Sequence, residues 1–264
     1  MARKRKTLSK LGLLVVNIRG MTTDGTNGPK MDLIMRHNQD IKIIIDCHLK
    51  STEIIKYQQK YRNWNFHLST NESGNSRGIM IMTRKSMELQ EQIVKNDDNG
   101  NYILLKITHD RSDILLSAIY GPGTDEPQFY EDVLNKIDNT GIVNKIICGD
   151  FNLTLDPTLE TWNYIGTQNN KNAREVLKRY VRTNDMEDPL HFSNYMEPHF
   201  TWCKDNGEKM ARLDRFLLSP ALAQHSSHYH RLTRETGYDH HPISLDIDFS
   251  NFTPGAGLWR LPTI

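Results

Sequence analysis

The sequence predicts an α+β fold in which two packed, mostly antiparallel sheets are flanked by helices on their outer faces, a four-layer αββα sandwich. Hydrophobic periodicity marks roughly ten strand-like and roughly four helix-like segments. Several strands follow one another without an intervening helix, which argues against a doubly wound parallel sheet. Polar residues end several strands and predict a site along one rim. A chain of 264 residues is long enough for one such domain.

The first half of the chain combines strands with short helices. Apolar runs predict buried strands over residues 11–17 and 41–47. Pro29 opens a helix between them, because proline is favoured in the first helical turn. The other elements predicted here are a helix near 54–61 and strands at 77–82 and 93–94.

The second half begins with a predicted antiparallel hairpin. Its strands, 102–108 and 113–120, are separated only by a short polar turn. Helical spacing of apolar residues follows over 127–139. The remaining predicted elements are a helix at 172–182 and strands at 199–203, 212–218 and 242–247.

Residues 145–153, Lys-Ile-Ile-Cys-Gly-Asp-Phe-Asn-Leu, are the stretch on which the predicted site depends. A buried strand ends here, followed by Asp150 and Asn152. Because side chains alternate along a strand, both polar groups point to one side and Phe151 points into the core. A simple turn is the alternative, since Gly, Asp and Asn are common turn residues.

The composition excludes several classes of protein. Hydrophobic residues make up 37% and charged residues 25%, which is typical of a soluble globular domain. The formal net charge of +1 creates no global field toward a polyanion, so any nucleic-acid surface must be local. No apolar segment is long enough to span a bilayer, so no membrane partner is expected. Cys47, Cys148 and Cys203 are too scattered for a disulfide framework, which favours a reducing, intracellular compartment.

Residues 1–10 are rich in Lys and Arg and are predicted to form a flexible basic N-terminus. Such a cluster is also compatible with a nuclear address or a phosphate-binding arm. The apolar run that follows is short and ends at Asn17, so a signal peptide is not predicted.

Polar side chains suited to metal-dependent hydrolysis recur at the predicted strand ends. They are Asn17, Asp46, Tyr120, Asp150, Asn152, Asp214, Asp239 and His240. Hard oxygen ligands without cysteine suit Mg²⁺ or Mn²⁺, and a histidine beside carboxylates suits acid–base or electrostatic work. Phosphodiester hydrolysis needs a polarised phosphoryl oxygen, an activated water and charge neutralisation, which this set would supply. Taken singly, each residue is more often a turn, cap or core residue.

Longer motifs surround these residues in a fixed order. They are Asn17-Ile-Arg-Gly20, Ser117-Ala-Ile-Tyr120-Gly-Pro122, Cys148-Gly-Asp150-Phe-Asn152, Phe200-Thr-Trp202, Arg212-Leu-Asp214-Arg-Phe-Leu-Leu-Ser219 and Tyr238-Asp239-His240-His-Pro242-Ile. This series resembles the endonuclease/exonuclease/phosphatase superfamily, which includes AP endonucleases and deoxyribonuclease I. It is most similar to the AP-endonuclease-like endonuclease domain of non-LTR, LINE-type retrotransposons.

The resemblance implies a deoxyribonuclease I-like domain over residues 11–250. It also implies a Mg²⁺-dependent endodeoxyribonuclease, with Mn²⁺ as a substitute, that nicks double-stranded DNA and leaves a 3′-hydroxyl primer. Residues 251–264 resemble the segment that leads to a reverse transcriptase, so they are expected to be a linker toward a covalently attached region of that kind. The expected location is the nucleus.

The resemblance further implies roles for individual residues. The implied catalytic residues are Asp150, His240, Asp214, Tyr120 and Asn152, and the implied metal ligands are Asp46, Asn17 and Asp239. The implied DNA contacts are Arg19, Thr201, Trp202 and Arg215. In this scheme Asp150 orients or deprotonates the attacking water. Asp214 orients His240, which faces the scissile phosphate.

Two positions depart from the family pattern. The metal ligand is usually Glu in a Gln-Glu-Thr-His-Leu-like word, whereas the aligned residue here is Asp46. Aspartate is shorter but still a hard ligand, and Glu53 is the alternative. Tyr238 stands where the family usually has Ser, which would remove a phosphate hydrogen bond.

Other functions stay open on the sequence alone. The scaffold also serves AP endonucleases, phosphoinositide phosphatases and sphingomyelinases, and a catalytically silent DNA-binding domain is a further alternative. His225, His228 and His230 are predicted to lie in a surface loop rather than to form a zinc site, because no cysteine or helical spacing accompanies them.

Overall fold

The computed structural model describes residues 10–21, 29–73, 76–109, 112–163, 170–192, 199–204, 207–234 and 238–250. The predicted terminus before residue 10 and the predicted linker 251–264 lie outside these residues. The strands are β1 (Lys10–Asn17), β2 (Ile41–Ile45), β3 (Trp64–Ser69), β4 (Ile79–Arg84), β5 (Gln90–Asn96), β6 (Tyr102–His109), β7 (Ser112–Tyr120), β8 (Asn144–Asp150), β9 (Thr161–Trp162), β10 (Trp202–Cys203), β11 (Met210–Ala211), β12 (Asp214–Leu218), β13 (Ser226–Arg231) and β14 (Ile243–Asp248). The α-helices are α1 (Pro29–Met35), α2 (Ile54–Lys60), α3 (Pro127–Asp138), α4 (Pro157–Glu160), α5 (Lys171–Thr183) and α6 (Pro220–Ala223).

Two large sheets organise the described residues. One has six strands in the order β13-β14-β1-β2-β4-β3, and the other has five in the order β12-β8-β7-β6-β5. The pairs β1–β2 and β7–β8 are parallel, and the other pairs within these sheets are antiparallel. The predicted hairpin is confirmed, because β6 and β7 pair in antiparallel register from Tyr102 to His109. A short sheet, β10-β11-β9, lies apart from these two.

The main core lies between the two large sheets, which pack face to face. Leu13, Val15 and Ile43 project from the six-stranded sheet, and Leu116 and Ile146 project from the five-stranded sheet into the same buried cluster. The alternate residues of the same strands point outward, as the two-residue period of a strand requires. One face of each sheet therefore contributes to the central layer.

Helices cover the outer faces of both sheets. Tyr130 of α3 and Leu177 of α5 pack in one cluster with Ile147 of β8. Met31 of α1 and Tyr57 of α2 lie in a separate cluster that contains outward residues of β1, β2 and β4. The predicted four-layer αββα sandwich is therefore confirmed. Among the described helices, none has the length and apolar character that crossing a membrane requires.

Two parts of the fold differ from the sequence prediction. The predicted surface loop for the histidine group is wrong, because His228 and His230 belong to β13, an edge strand paired with β14. The strand is difficult to recognise because it contains a bulge, with His228 at φ 52°, and buries only Tyr229. β3 was not predicted either; alternation of Trp64 with Phe66 is the signal that identifies it.

Candidate active site

The strand ends of both large sheets meet at one cavity of about 310 Å³. Its lining residues are Asn17, Arg19, Asp46, Tyr120, Gly123, Asp150, Asn152, Trp202, Leu213, Asp239 and His240. Apart from Gly123 and Leu213, all of them belong to the site predicted from the sequence. The predicted gathering of acidic, amide and imidazole groups therefore occurs in the folded chain.

Sheet register explains why these residues meet. β1 and β2 are parallel, so Asn17 and Asp46 leave their strands at the same rim. β7 and β8 are also parallel and place Tyr120 opposite Asp150. β12 runs antiparallel to β8 and places Asp214 directly opposite Asp150.

Asp150 joins the two sheets through its carboxylate. Its Oδ2 accepts a hydrogen bond of 2.8 Å from Nδ2 of Asn17, which lies on the other sheet. Its Oδ1 accepts a second bond of 2.8 Å from the backbone N–H of Asn152. Phe151 is fully buried between these two polar residues, as the alternation of strand side chains predicts. The two bonds hold the Asp150 carboxylate toward the cavity.

His240 lies between two carboxylates. Its Nδ1 is 2.7 Å from Oδ2 of Asp214, and its Nε2 is 3.7 Å from Oδ2 of Asp150. All three side chains are buried. Asp214 thus determines the orientation of the ring and leaves Nε2 directed toward Asp150.

Burial and charge alter the acidity of this group. Burial raises the pKa of Asp150 and the Asp214 carboxylate raises it further, whereas His240 opposes the shift. Burial lowers the pKa of His240, but the charges of Asp214 and Asp150 outweigh burial and raise it to about 9. Burial also raises the pKa of Tyr120, with Asp46 and Asp150 adding to the effect. At neutral pH the site therefore contains a basic carboxylate beside a cationic imidazole.

Asp46 lies at the cavity in an unusual backbone conformation, with φ of 57°. Its Oδ1 accepts a 3.0 Å hydrogen bond from the backbone N–H of Arg77 and lies 2.9 Å from Nε2 of His48. Glu53, the alternative metal ligand, instead accepts a 2.9 Å bond from the backbone N–H of Lys50 and does not line the cavity. The geometry favours Asp46 over Glu53 as the carboxylate available to a metal.

The chemistry of the cavity fits a hard divalent cation. Asp46 and Asp239 contribute carboxylates and Asn17 contributes an amide, and these are oxygen donors of the kind that Mg²⁺ binds. Among the described residues, Asp150, Asp214 and His240 also form a compact group whose potential ligand atoms lie within 4.8 Å of one another. His240 is less suited to metal binding, because Nδ1 already pairs with Asp214 and a protonated ring has no free lone pair.

Arg215 does not have its predicted contact with DNA. The side chain is fully buried and donates bonds of 3.1 and 3.0 Å to the carboxylate of Glu160. The reason is the period of two along β12, since Asp214 faces the site and its neighbour must point the other way. Arg215 is therefore part of a buried ionic cluster, with Arg212, Glu160 and Asp188.

Thr201 also differs from its predicted role as a DNA contact, because it is fully buried and does not line the cavity. Its Oγ1 accepts hydrogen bonds from the backbone N–H groups of Leu213 at 3.0 Å and Asp214 at 2.9 Å. Thr201 therefore supports the backbone of Asp214. The other two predicted DNA contacts, Arg19 and Trp202, do lie at the cavity.

An adjoining cavity of about 370 Å³ contains residues that the sequence did not identify. His48 and Asn101 line it together with Arg77, whose Nη1 donates a 3.1 Å bond to Oδ1 of Asn101. Asn101 in turn donates a 3.0 Å bond from Nδ2 to the backbone oxygen of Tyr120. Asn101 directly precedes β6, so its position at a strand end is the signal that could have identified it.

No protein-family model matches the sequence. The AP endonuclease LMAP from Leishmania major superposes with a TM-score of 0.76 at 14% identity, covering 91% of this chain and 88% of that chain. The 3′ phosphatase NExo from Neisseria, bound to a product DNA hairpin, gives a TM-score of 0.68 at 14% identity and covers 90% and 99% of the two chains. The endonuclease domain of TRAS1, a telomere-specific non-LTR retrotransposon, gives 0.67 at 12% identity and covers 90% and 98%. These neighbours share the fold of this chain, so they confirm the predicted fold.

Proposed function

We propose that this chain is a metal-dependent phosphodiesterase that nicks duplex DNA and leaves a 3′-hydroxyl end. The observation that carries the proposal is the buried relay in which Asp214 orients His240 and His240 faces Asp150, at a cavity lined by further oxygen donors. A general base, a fixed cation and a set of hard ligands at one cavity are the parts that phosphodiester hydrolysis needs.

Asp150 is the proposed base. Its raised pKa gives this carboxylate enough basicity to accept a proton from water near neutral pH. As the water oxygen bonds to phosphorus, the P–O3′ bond breaks and the departing O3′ takes a proton from solvent. The phosphate stays on the 5′ oxygen of the downstream strand, and the upstream strand ends in a 3′-hydroxyl group.

His240 is the proposed electrostatic partner of the reacting phosphate. With a pKa raised to about 9, the ring is cationic at neutral pH, and its Nε2 is the end that is not bonded to Asp214. A fixed positive charge in a buried site stabilises the negative charge that develops on the phosphoryl oxygens. Burial raises the pKa of Tyr120, so its hydroxyl retains the proton and would donate a hydrogen bond to the same phosphate.

Asp46, Asn17 and Asp239 would hold a Mg²⁺ ion, which Mn²⁺ would replace. When bound, the ion polarises a phosphoryl oxygen and neutralises charge. The remaining contributions come from the protein, which orients the base and excludes bulk water from the buried carboxylates.

Duplex DNA is the proposed substrate. Arg19 is largely exposed, and Trp202 is half-buried at the cavity, so a cation and an aromatic ring flank the reacting position. The TRAS1 neighbour, the endonuclease domain of a non-LTR retrotransposon, supports target-site nicking. A reverse transcriptase as partner and a location in the nucleus are proposed from the motif resemblance alone. The LMAP neighbour supports a second candidate, cleavage at abasic sites.

Plasmid nicking tests the proposal. The purified chain with Mg²⁺ should convert supercoiled plasmid to nicked circles, and a DNA polymerase should extend the nick from its 3′-hydroxyl. Asp150→Asn and His240→Ala should each lower the rate at least about a hundredfold. His230→Ala, which removes an exposed histidine on β13, is the matched control and should nick normally.

Three results separate the alternatives. Equal nicking by wild type and the Asp150→Asn variant would refute the assignment of the base. Cleavage confined to duplexes with an abasic site would favour the second candidate. Absence of any Mg²⁺-dependent cleavage by folded wild-type protein would leave a DNA-binding domain without activity.

A further inference from the structure

A buried lysine lies beneath the proposed active site. Lys30, in the first turn of α1, is 7% exposed. Its Nζ donates hydrogen bonds to three successive backbone oxygens, those of Ile18 at 2.7 Å, Arg19 at 3.3 Å and Gly20 at 2.8 Å. Lys30 uses all three ammonium donors on protein groups, so it has none left for a substrate.

The segment that Lys30 binds is the one that follows Asn17. Arg19 and Gly20 have φ values of 47° and 85°, so the backbone curls and turns its carbonyl groups toward the ammonium group. The N–H of Gly20 donates a 2.7 Å bond to the backbone oxygen of Asp46. Lys30 therefore fixes a turn that connects two proposed metal ligands, Asn17 and Asp46.

Tyr238 connects Lys30 to the other side of the site. The Lys30 ammonium lies 5.4 Å from the centroid of the Tyr238 ring, and the Tyr238 hydroxyl donates a 3.3 Å bond to the backbone oxygen of Lys30. Tyr238 is buried and directly precedes Asp239 and His240.

We propose that Lys30 and Tyr238 are positioning residues that hold the Asn17 turn and the Asp239–His240 segment at the spacing needed for phosphodiester hydrolysis. The proposal rests on the proposed function of the same site. An ammonium over an aromatic face in a buried position is a strong and directional contact. Misplacement of a reacting group by about 1 Å costs roughly a hundredfold in rate, so a small displacement would be measurable.

The pKa of Lys30 responds to charged groups on both sides of the proposed site. The pKa of Lys30 is lowered, because burial and the charge of Arg19 outweigh the opposite effects of the Asp239 and Asp46 carboxylates. Both proposed ligands thus act on the same ammonium group. Lys30 is the buried cation near these carboxylates. Arg19 is the exposed one, and its Nη1 lies 3.7 Å from Oδ2 of Asp239.

Lys42 provides a matched control, because it is a second buried lysine with the same kind of contact. Its Nζ donates a 2.5 Å bond to the backbone oxygen of His37 and lies 5.3 Å from the centroid of the Trp64 ring. It is fully buried near the start of β2, at the opposite end of that strand from Asp46. Lys42→Met removes a buried ammonium without touching the cavity.

The experiment compares the nicking kinetics of Lys30→Met, Tyr238→Leu, Tyr238→Phe and Lys42→Met. We expect Lys30→Met and Tyr238→Leu to lower kcat about 10- to 100-fold with little change in KM for plasmid. Tyr238→Phe keeps the ring and should retain most of the rate. The Lys30→Met/Tyr238→Leu double variant should be little slower than Lys30→Met alone, because the contact between the ammonium group and the Tyr238 ring is already lost in that single variant. Lys42→Met should lose thermal stability but keep kcat.

Hydrogen exchange provides a readout that needs no activity. The N–H groups of Gly20 and His241 are bonded at 2.7 and 2.6 Å to the backbone oxygens of Asp46 and Thr201. Lys30→Met and Tyr238→Leu should both accelerate exchange at these two amides, whereas Lys42→Met should not.

The outcomes distinguish this inference from the proposed function. If the wild-type protein nicks no DNA, the proposed function is refuted. Hydrogen exchange would then still show whether Lys30 and Tyr238 hold the two segments in place. Unchanged exchange at both amides in Lys30→Met overturns the inference even if the wild type is active. Equal losses of kcat in Lys30→Met and Lys42→Met would also overturn it, because the effect would then be general destabilisation.

Discussion

Nδ1 of His240 donates a 2.7 Å hydrogen bond to Oδ2 of Asp214, and both side chains are buried. The bond has two effects on the imidazole. It directs Nε2 toward Asp150, and it places a negative charge where it raises the pKa of the ring. One contact therefore determines both the direction and the protonation of the proposed catalytic cation.

Removal of the Asp214 charge should affect the rate and its pH dependence. The pKa of His240 is raised to about 9, so the cationic form is present below that pH and is lost as pH rises through it. Asp214→Asn lowers this pKa. We expect kcat/KM to fall about a hundredfold at neutral pH and the alkaline loss of activity to begin at lower pH. An alkaline limb at the wild-type position would contradict the role of Asp214. Asp113→Asn, at the opposite end of β7 from the cavity, is the control.

Activity should depend on a divalent metal through Asp46. A chelator should stop nicking, and added Mg²⁺ or Mn²⁺ should restore it. Asp46→Asn removes a charged ligand, so the Mg²⁺ concentration for half-maximal activity should rise at least about tenfold. Glu53→Gln should leave that concentration unchanged, because Glu53 does not line the cavity. The reverse ranking of these two variants would make Glu53 the ligand.

Thr201 should matter for stability more than for DNA binding. Thr201→Val would leave the buried N–H groups of Leu213 and Asp214 without their acceptor. The expected loss is about 2 kcal/mol or more in the free energy of unfolding, measured in urea. Thr201→Ser keeps the hydroxyl and should recover most of this stability. If the valine and serine variants were equally stable, the hydroxyl would have no structural role.

The buried ionic cluster should make the fold sensitive to acid. Burial raises the pKa of Asp188, but Arg212, Arg215 and the backbone N–H of Leu190 together outweigh burial, so the net shift of the pKa is downward. A lowered folded-state pKa means that Asp188 contributes stability above its unfolded-state pKa of about 4 and loses that contribution as pH falls through the folded-state value. Asp188→Asn should cost about 3 kcal/mol at neutral pH and flatten the acid dependence. Unfolding measured across the acidic range decides this, with the exposed Asp32→Asn as control.

The alternation of apolar and polar residues, together with local sequence pattern, was enough to predict much of the fold. The pairing of β6 with β7, the burial of Phe151 and the opposite direction of the Asp150 side chain, toward the site, all follow from the two-residue period of a strand. The same period applied to β12 would have shown that Asp214 and Arg215 cannot both face the cavity. The prediction that Arg215 contacts DNA was wrong, because it considered the positive charge of the residue without the alternation of side chains along the strand.

Only the tertiary structure decided which distant groups meet. The bond between Asn17 and Asp150 joins residues 133 positions apart, and that between Lys30 and Tyr238 joins residues 208 apart. Periodicity describes which side of its own element a residue faces, whereas these contacts depend on how two sheets pack and how helix α1 closes beneath them. Chain order therefore identified the chemical groups, and the packing of the sheets determined their distances and their pKa values.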